Sequence, residues 1–251
     1  MIQDHLSAII ASNSLEEVWS LHTAKMAEFG FDRIVYGYTR FRTGTTLGDL
    51  QDALILTNHD AEYVEHFVGD GAYYQGPMVA WASENVGACS WRMMQELAMS
   101  GKLTQGEMEV VALNQRLEVT AGYTVSFHDV STRVKGATGL TARRGLSQDD
   151  VDAIWDKYSA DLELANKIMH LKVTQLPHTT GQRRPLTARQ REVLEWVADG
   201  KTIQDTATIM GLNPATVEKH LRLARETLDV DTTAQAILKA SSQNQFFLIE
   251  R

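Results

Sequence analysis

Residues 186–228, LTARQREVLEWVADGKTIQDTATIMGLNPATVEKHLRLARETL, spell three consecutive short helices, and the capping residues mark each boundary. Thr187 followed three residues later by Gln190 forms a capping box, in which each side chain satisfies a backbone N–H of the other. Val193, Leu194 and Val197 give the first helix its apolar stripe, and Gly200 stands where a left-handed residue would end it. Thr202 and Asp205 repeat the pattern for a second short helix, with Ala207, Ile209 and Met210 expected inward. Gly211-Leu212 is the turn. Asn213 is a strong N-cap and Pro214 suits the first helical position, so a third helix is predicted from about Pro214 to about Leu228. Val217, Leu221, Ala224 and Leu228 share one stripe, leaving Ala215, Glu218, Lys219, Arg222 and Arg225 on a neighbouring face turned to solvent.

A helix pair joined by a Gly-containing turn, with a polar and basic second helix, has the geometry that enters a DNA major groove. Charge alone leaves a plain helical bundle open: from Leu186 to Arg251 there are 8 Lys/Arg against 9 Asp/Glu, not the basic excess of a nonspecific binder. The segment resembles the C-terminal helix-turn-helix domain of LuxR-type (GerE-like) transcription regulators. Leu186, Thr187, Arg189, Val193, Leu194, Trp196, Ala198, Gly200, Lys201, Thr202, Ala207, Thr216, Val217, His220 and Leu221 match that pattern in register. Two positions depart from it. The usual Glu after the Arg is Gln190, which keeps the capping box, and the basic residue that often follows Thr-Val is Glu218, a carboxylate that either accepts from a cytosine amine or simply lowers affinity for phosphate. The resemblance implies that Glu218 and Arg222 read bases, with Thr202, Thr216, Lys219, His220 and Arg225 as phosphate contacts.

Length and composition agree with a two-part chain. At 251 residues and 43% hydrophobic there is enough for one ordinary domain plus a small one. Residues 174–185, TQLPHTTGQRRP, combine Pro, Gly, Thr and a basic pair without apolar periodicity, and read as a linker. The expected domains are 1–173, that linker, and 186–251. A single cysteine, Cys89, no long apolar stretch and a net charge of −8 point to a cytoplasmic protein without disulfides and argue against wholesale binding to nucleic acid or acidic membranes.

The front domain reads as helices around a sheet. Leu6 to Phe29 has helical spacing; 32–42 and 53–57 read as strands; the chain turns helical from Asp60 to about Gly69, from Pro77 to Asn85, and from Ser90 to about Arg116 with a break at Gly101. Strand signals return at 121–128 and 134–142, and Gln148 to Val173 is a long amphipathic helix. The fold class expected is α+β, an α/β/α sandwich with an antiparallel sheet, followed by an all-α helix-turn-helix domain. No Gly-rich phosphate loop, Cys/His metal spacing or G-x-S-x-G elbow occurs, so no enzyme, metal or cofactor is expected. Cys89, beside Ser90 and Trp91 in an expected helix-start region, reads as a small buried hydrophobe rather than a nucleophile. Asp149-Asp150 and Glu16-Glu17 read as first-turn acids favoured by the helix dipole.

Aromatic residues crowd the stretch Tyr63, Phe67, Tyr73, Tyr74, Trp81 and Trp91, which ordinary core packing would explain. The stretch also resembles the autoinducer-binding region of the same family, whose frame is Trp, a Tyr four residues on, Asp-Pro nine after that, and a Trp fourteen beyond the proline. Here Tyr63 stands at the first Trp, Phe67 at the Tyr, Gly76-Pro77 at the Asp-Pro and Trp91 at the last Trp. In acyl-homoserine-lactone receptors the Trp N–H reaches the lactone carbonyl, the Tyr hydroxyl the amide carbonyl, and the Asp the ligand N–H. Phe67 has no hydroxyl, Gly76 no carboxylate, and Tyr63 is shorter than an indole. Each unpartnered ligand group costs roughly 1–3 kcal/mol, or about one to two decades of affinity. On the pocket strand, where the family often has Ser or Thr, Gly139 is expected, with Thr138 and Thr141 beside it; Tyr38 completes the expected lining. The pocket is therefore expected to be less polar than the family's, taking an atypical acyl lactone, another small apolar signal, or no ligand.

The resemblance further implies a homodimer on an inverted-repeat operator of double-stranded DNA, joined through the long helix at 148–173 and the last one at about 232–242, and contact with RNA polymerase. Ligand would act on dimerisation or on placement of the DNA domains. Alternatives are a ligand-independent regulator whose front domain only dimerises, a response regulator, or an enzyme with an appended DNA module. A receiver needs an acidic cluster near the start of the chain and a phosphoacceptor Asp ending a strand, and residues 1–60 show no such doubly wound pattern.

Overall fold

The computed structural model describes residues 2–42, 53–129, 131–179 and 184–246. By contact density the chain divides into Met1–Thr174 and Gln175–Arg251.

The first unit is a five-stranded, wholly antiparallel sheet in the order β2-β1-β5-β4-β3. Its strands are β1 (Phe31–Thr39), β2 (Leu54–Thr57), β3 (Gly87–Ser90), β4 (Gly122–Ser126) and β5 (Lys135–Ala142). Helices α1 (Ile2–Ala11), α2 (Leu15–Glu28) and α7 (Gln148–Gln175) form one layer. Between β2 and β4 come α3 (Ala61–Val64), α4 (Pro77–Glu84), α5 (Arg92–Met99) and α6 (Gln105–Arg116). Side chains alternate along a strand, and here that period sorts two chemically different faces. The Tyr36 hydroxyl pairs with His170 Nδ1 of α7 at 2.9 Å, Tyr123 stacks on Trp155 with centroids 4.0 Å apart, and Phe127 stacks on His170 at 4.2 Å. This face is closed. On the opposite face, Val35, Gly37 and Thr39 of β1 and Ala137, Gly139 and Thr141 of β5 border open space.

Several sequence expectations need correction. Leu6 to Phe29 is two helices, because the Ser14 hydroxyl caps α2 through the Glu17 N–H and breaks the run. The stretch expected to be helical from Ser90 begins as the edge strand β3, and α5 starts only at Arg92, so Cys89 lies on a strand and not at a helix start. The Cys89 thiol is half-buried, 3.9 Å from Met93 Sδ, and burial raises its pKa, which favours the protonated form. After α3 the chain widens into a π-turn over Glu65–Gly69, closed by the Asp70 N–H donating to the Glu65 carbonyl at 2.8 Å.

The second unit packs α8 (Ala188–Ala198), α9 (Ile203–Met210), α10 (Pro214–Leu228) and α11 (Thr233–Ser242). Thr187 with Gln190, Thr202 with Asp205 and Thr232 with Gln235 form capping boxes, and Asn213 Oδ1 accepts from the Thr216 N–H at 2.9 Å. Gly211 has φ +65°, the left-handed value that lets α9 stop and the chain turn at once into α10. Val217, Leu221, Ala224 and Leu228 are buried against Val193, Leu194, Ala207 and Ala236. Ile209, expected inward, is 48% exposed; Thr206 takes the inward position because the short helix rotates Ile203, Ala207 and Met210 onto the core. Leu176 and His178, within the stretch read as a linker, are buried in this unit: the His178 N–H donates to the Gln243 carbonyl, and Gln245 bonds both the His178 carbonyl and the Leu186 N–H.

Candidate ligand cavity and nucleic-acid interface

Between the sheet and α3 to α6 lies a cavity of about 160 Å³. Its wall is built largely from apolar and aromatic side chains, among them Val35, Ile55, Tyr63, Phe67, Pro77, Met78, Val79, Trp91, Met94, Val110 and Val119. A column of rings forms one side. His59 stacks on Tyr63 at 4.3 Å, Tyr63 on Phe67 at 5.0 Å, and Phe67 meets Tyr73 edge-on at 6.5 Å. Tyr63 and Phe67 are four residues apart, which puts both on one helical face despite the π-turn.

The polar groups on this wall are mostly spoken for. The Trp91 indole N–H donates to Thr124 Oγ1 at 2.9 Å, so it faces β4 with its hydrogen engaged. Only glycine fits at 122: a Cβ there would collide with the Leu140 carbonyl and lie 2.9 Å from Trp91. Thr141 Oγ1 pairs with His59 Nε2 at 3.2 Å, and burial drives the His59 pKa down to about 4, which keeps the imidazole neutral. Lys135, whose pKa burial also lowers, directs its ammonium to the backbone carbonyls of Asn85 at 2.8 Å and Phe127 at 3.3 Å. Burial raises the pKa of Tyr63, keeping its hydroxyl neutral.

Of the nine residues expected at this site, Tyr63, Phe67, Gly76, Trp91 and Thr141 meet around the cavity. Tyr38 borders it, but its ring packs against His170 on the closed face of the sheet, 5.7 Å between centroids. Thr138, Tyr74 and Trp81 do not line it. Thr138 pairs with Tyr36 across β1 and so shares the closed face, while Gly139 pairs with Val35 and faces the cavity. Tyr74 is 55% exposed and lies against Tyr73, and half-buried Trp81 is replaced on the wall by its neighbours Val79 and Ala82. The sequence reading missed Val35, Ile55, Met94 and Val110, which period-two and period-3.6 patterning marks as inward, and Asn114, which no local pattern marks.

In the second unit, α10 presents Ala215, Glu218, Lys219 and Arg222 on one exposed face. Arg222 Nη1 sits 2.5 Å from Glu226 Oε1, an exposed pair one turn apart. Thr216 and His220 are half-buried at its margin, and the Thr216 hydroxyl donates to Asn213 Oδ1 at 3.0 Å. Arg225 is also half-buried and donates to Thr233 Oγ1 at 3.0 Å, which ties it to the start of α11. Thr202 is exposed at the N-cap of α9, its hydroxyl donating to the Asp205 carboxylate at 2.7 Å.

An apolar cavity between sheet and helices and a helix-turn-helix unit thus stand in one chain. The description "Autoinducer binding domain" matches residues 14–173, and "Bacterial regulatory proteins, luxR family" matches residues 184–240. The chain belongs to the LuxR family. This LuxR-type regulator joins an autoinducer-binding domain to a DNA-binding domain. It is 23% identical over 195 residues to Transcriptional activator protein ExpR of Dickeya dadantii (strain 3937), 74% of this chain and 76% of ExpR. Its fold is similar to that of Escherichia coli SdiA, with a TM-score of 0.56 at 14% identity over 98% of each chain. SdiA in complex with octanoyl-rac-glycerol matches with a TM-score of 0.53 at 14% identity, over 96% of this chain and 93% of that one. Among the described residues, no helix is long and apolar enough to cross a membrane and no cluster of His, Cys, Asp or Glu is arranged to hold a metal ion.

Proposed function

We propose that this LuxR-type regulator binds an inverted-repeat operator as a homodimer and answers to a neutral, largely apolar small molecule, without the amide recognition that unmodified acyl-homoserine lactones receive. The observation that carries this reading is the cavity wall itself, where Phe67 and Gly76 occupy the positions of a hydroxyl and a carboxylate and the Trp91 N–H is already given to Thr124. A ligand amide entering such a wall loses partners for its carbonyl and its N–H, at roughly 1–3 kcal/mol each. An ester or alcohol gives up less. The fold has room for such a ligand in a relative, since SdiA is described in complex with octanoyl-rac-glycerol, which carries no amide.

On the DNA side, Glu218 and Arg222 take the role of base readers, one turn apart on the exposed face of α10, with Lys219, Thr216 and His220 beside them for phosphates. Dimer contacts fall to α7 and α11, which expose apolar side chains: Leu164 and Leu171, two turns apart on α7, and Leu238 on α11. Ligand then acts on DNA affinity by favouring one arrangement of the dimer.

Titration calorimetry on the full chain tests the ligand half of this reading. Octanoyl-glycerol is expected to bind more tightly than N-octanoyl-homoserine lactone. Micromolar or tighter binding of the unmodified lactone, with the ester weaker, overturns it.

A further inference from the structure

Asn114 lines the cavity, and its buried side-chain oxygen has no partner among the described residues. It lies on α6 one turn after Val110; those two are the buried residues of the helix, while Glu109, Ala112, Gln115 and Arg116 face solvent. Only 9% of Asn114 is exposed, and its Oδ1 meets no hydrogen-bond donor among the described residues. Its backbone carbonyl is in use, accepting from the Val119 N–H at 2.8 Å. The position is flanked by Val110 and Val119, so an aliphatic side chain would complete this core cluster with no polar group to satisfy. Buried polar atoms without partners are rare in native proteins, and one carried by a residue that lines a cavity is placed to meet a ligand that enters it.

We propose that Asn114 is the polar anchor of the ligand site, and that it selects a neutral apolar ligand bearing a hydroxyl group. The proposal rests on the apolar-ligand reading above and names the group that orients the ligand. The chemistry follows from the side chain. A carboxamide carries no charge, and from one point it offers an acceptor oxygen and N–H donors. A hydroxyl, which both donates and accepts, is its complement. A carboxylate ligand is disfavoured, because the Lys135 ammonium is held by the Asn85 and Phe127 carbonyls. Two other wall groups are bonded within the protein: Trp91 to Thr124, and Thr141 to His59.

The test uses two probes of equal chain length, octan-1-ol and its methyl ether, titrated against the full chain. The ether keeps the chain and the oxygen and lacks the O–H. With Asn114 as anchor, the alcohol binds the unaltered protein about tenfold more tightly than the ether, the scale of one hydrogen bond to a buried group. In Asn114→Leu that preference disappears through loss of alcohol affinity, while the ether binds as before or better. Asn114→Val is the second variant and should behave alike. The unliganded variants should melt at or above the temperature of the parent, since they remove an unsatisfied group. Equal binding of alcohol and ether by the parent, or a preference that survives in both variants, overturns the anchor and leaves the apolar site standing. A lower melting temperature in both unliganded variants overturns it too, by making Asn114 structural. Binding of neither probe overturns the apolar-ligand reading together with the anchor.

Discussion

Arg222→Ala is the substitution that most directly interrogates the exposed face of α10. In the free chain the guanidinium is held by Glu226 in a pair whose side chains are both 55% exposed, so breaking it costs only about 0.3–0.5 kcal/mol. A bidentate contact to guanine is worth about 1–3 kcal/mol of discrimination, so the exchange of Glu226 for a base edge is favourable. The alanine variant should therefore lose roughly 5- to 150-fold in affinity for the preferred duplex, with relaxed choice at one base pair per half-site. Fluorescence anisotropy against a duplex selected from a random library, and against single-base variants of it, measures both. Arg222→Lys separates charge from geometry: it keeps the phosphate attraction and loses the planar fork, so it should resemble alanine in selectivity. A uniform loss on every duplex, with the salt dependence reduced by about one counterion, would refute base reading and make Arg222 a phosphate contact.

Three further outcomes are expected. Asn213→Ala removes the oxygen that caps α10 and should cost about 1 kcal/mol, seen as a fall of about 4–8 °C in the melting transition of the C-terminal unit in calorimetry. His22, buried with its Nδ1 unpartnered among the described residues, has a pKa pushed down to about 3, and His59 to about 4. Both take up a proton more readily unfolded, so stability is whole above about pH 6.5 and declines as pH falls towards those values; His22→Gln should flatten that decline in melting curves taken between pH 7 and pH 4. The double variant Phe67→Tyr with Gly76→Asp should gain about one to two decades of affinity for N-octanoyl-homoserine lactone per restored contact, and no gain in calorimetry would mean that the missing groups are not what excludes it.

The helix-turn-helix unit was legible because its determinants are local. Thr187, Thr202 and Asn213 each act on a backbone N–H three residues away, and Val217, Leu221, Ala224 and Leu228 lie on one stripe of one helix. Ile209 failed because an eight-residue helix rotates freely enough for its neighbours to decide which side is in. In the sensor domain the sheet was legible from its strands, yet one residue of register separated a right from a wrong lining residue: Gly139 faces the cavity and Thr138 the closed face. Strand β3, GACS, carries no β-branched residue and announces itself only through its pairing with β4. Asn114 reads in sequence as one more polar residue of an amphipathic helix. Only the packing of α6 turns it inward.

The substitutions in the cavity make physical sense as a set. A tyrosine at 67 would carry a hydroxyl into a wall whose nearest neighbours in the ring column are Tyr63, stacked on it, and Tyr73, met edge-on, and phenylalanine keeps these ring contacts while removing the group that would need a partner. An aspartate at 76 would place a charge among Pro77, Met78 and Val79, and its Cβ would press to 3.2 Å from the Tyr73 carbonyl and from Val79. Glycine at 76 and phenylalanine at 67 remove both costs together, and the Trp91 N–H is engaged by Thr124. What the wall then lacks is a means to orient what enters it. The unpartnered carboxamide of Asn114 on α6, a different element from those that carry Phe67 and Gly76, is the group proposed to supply it.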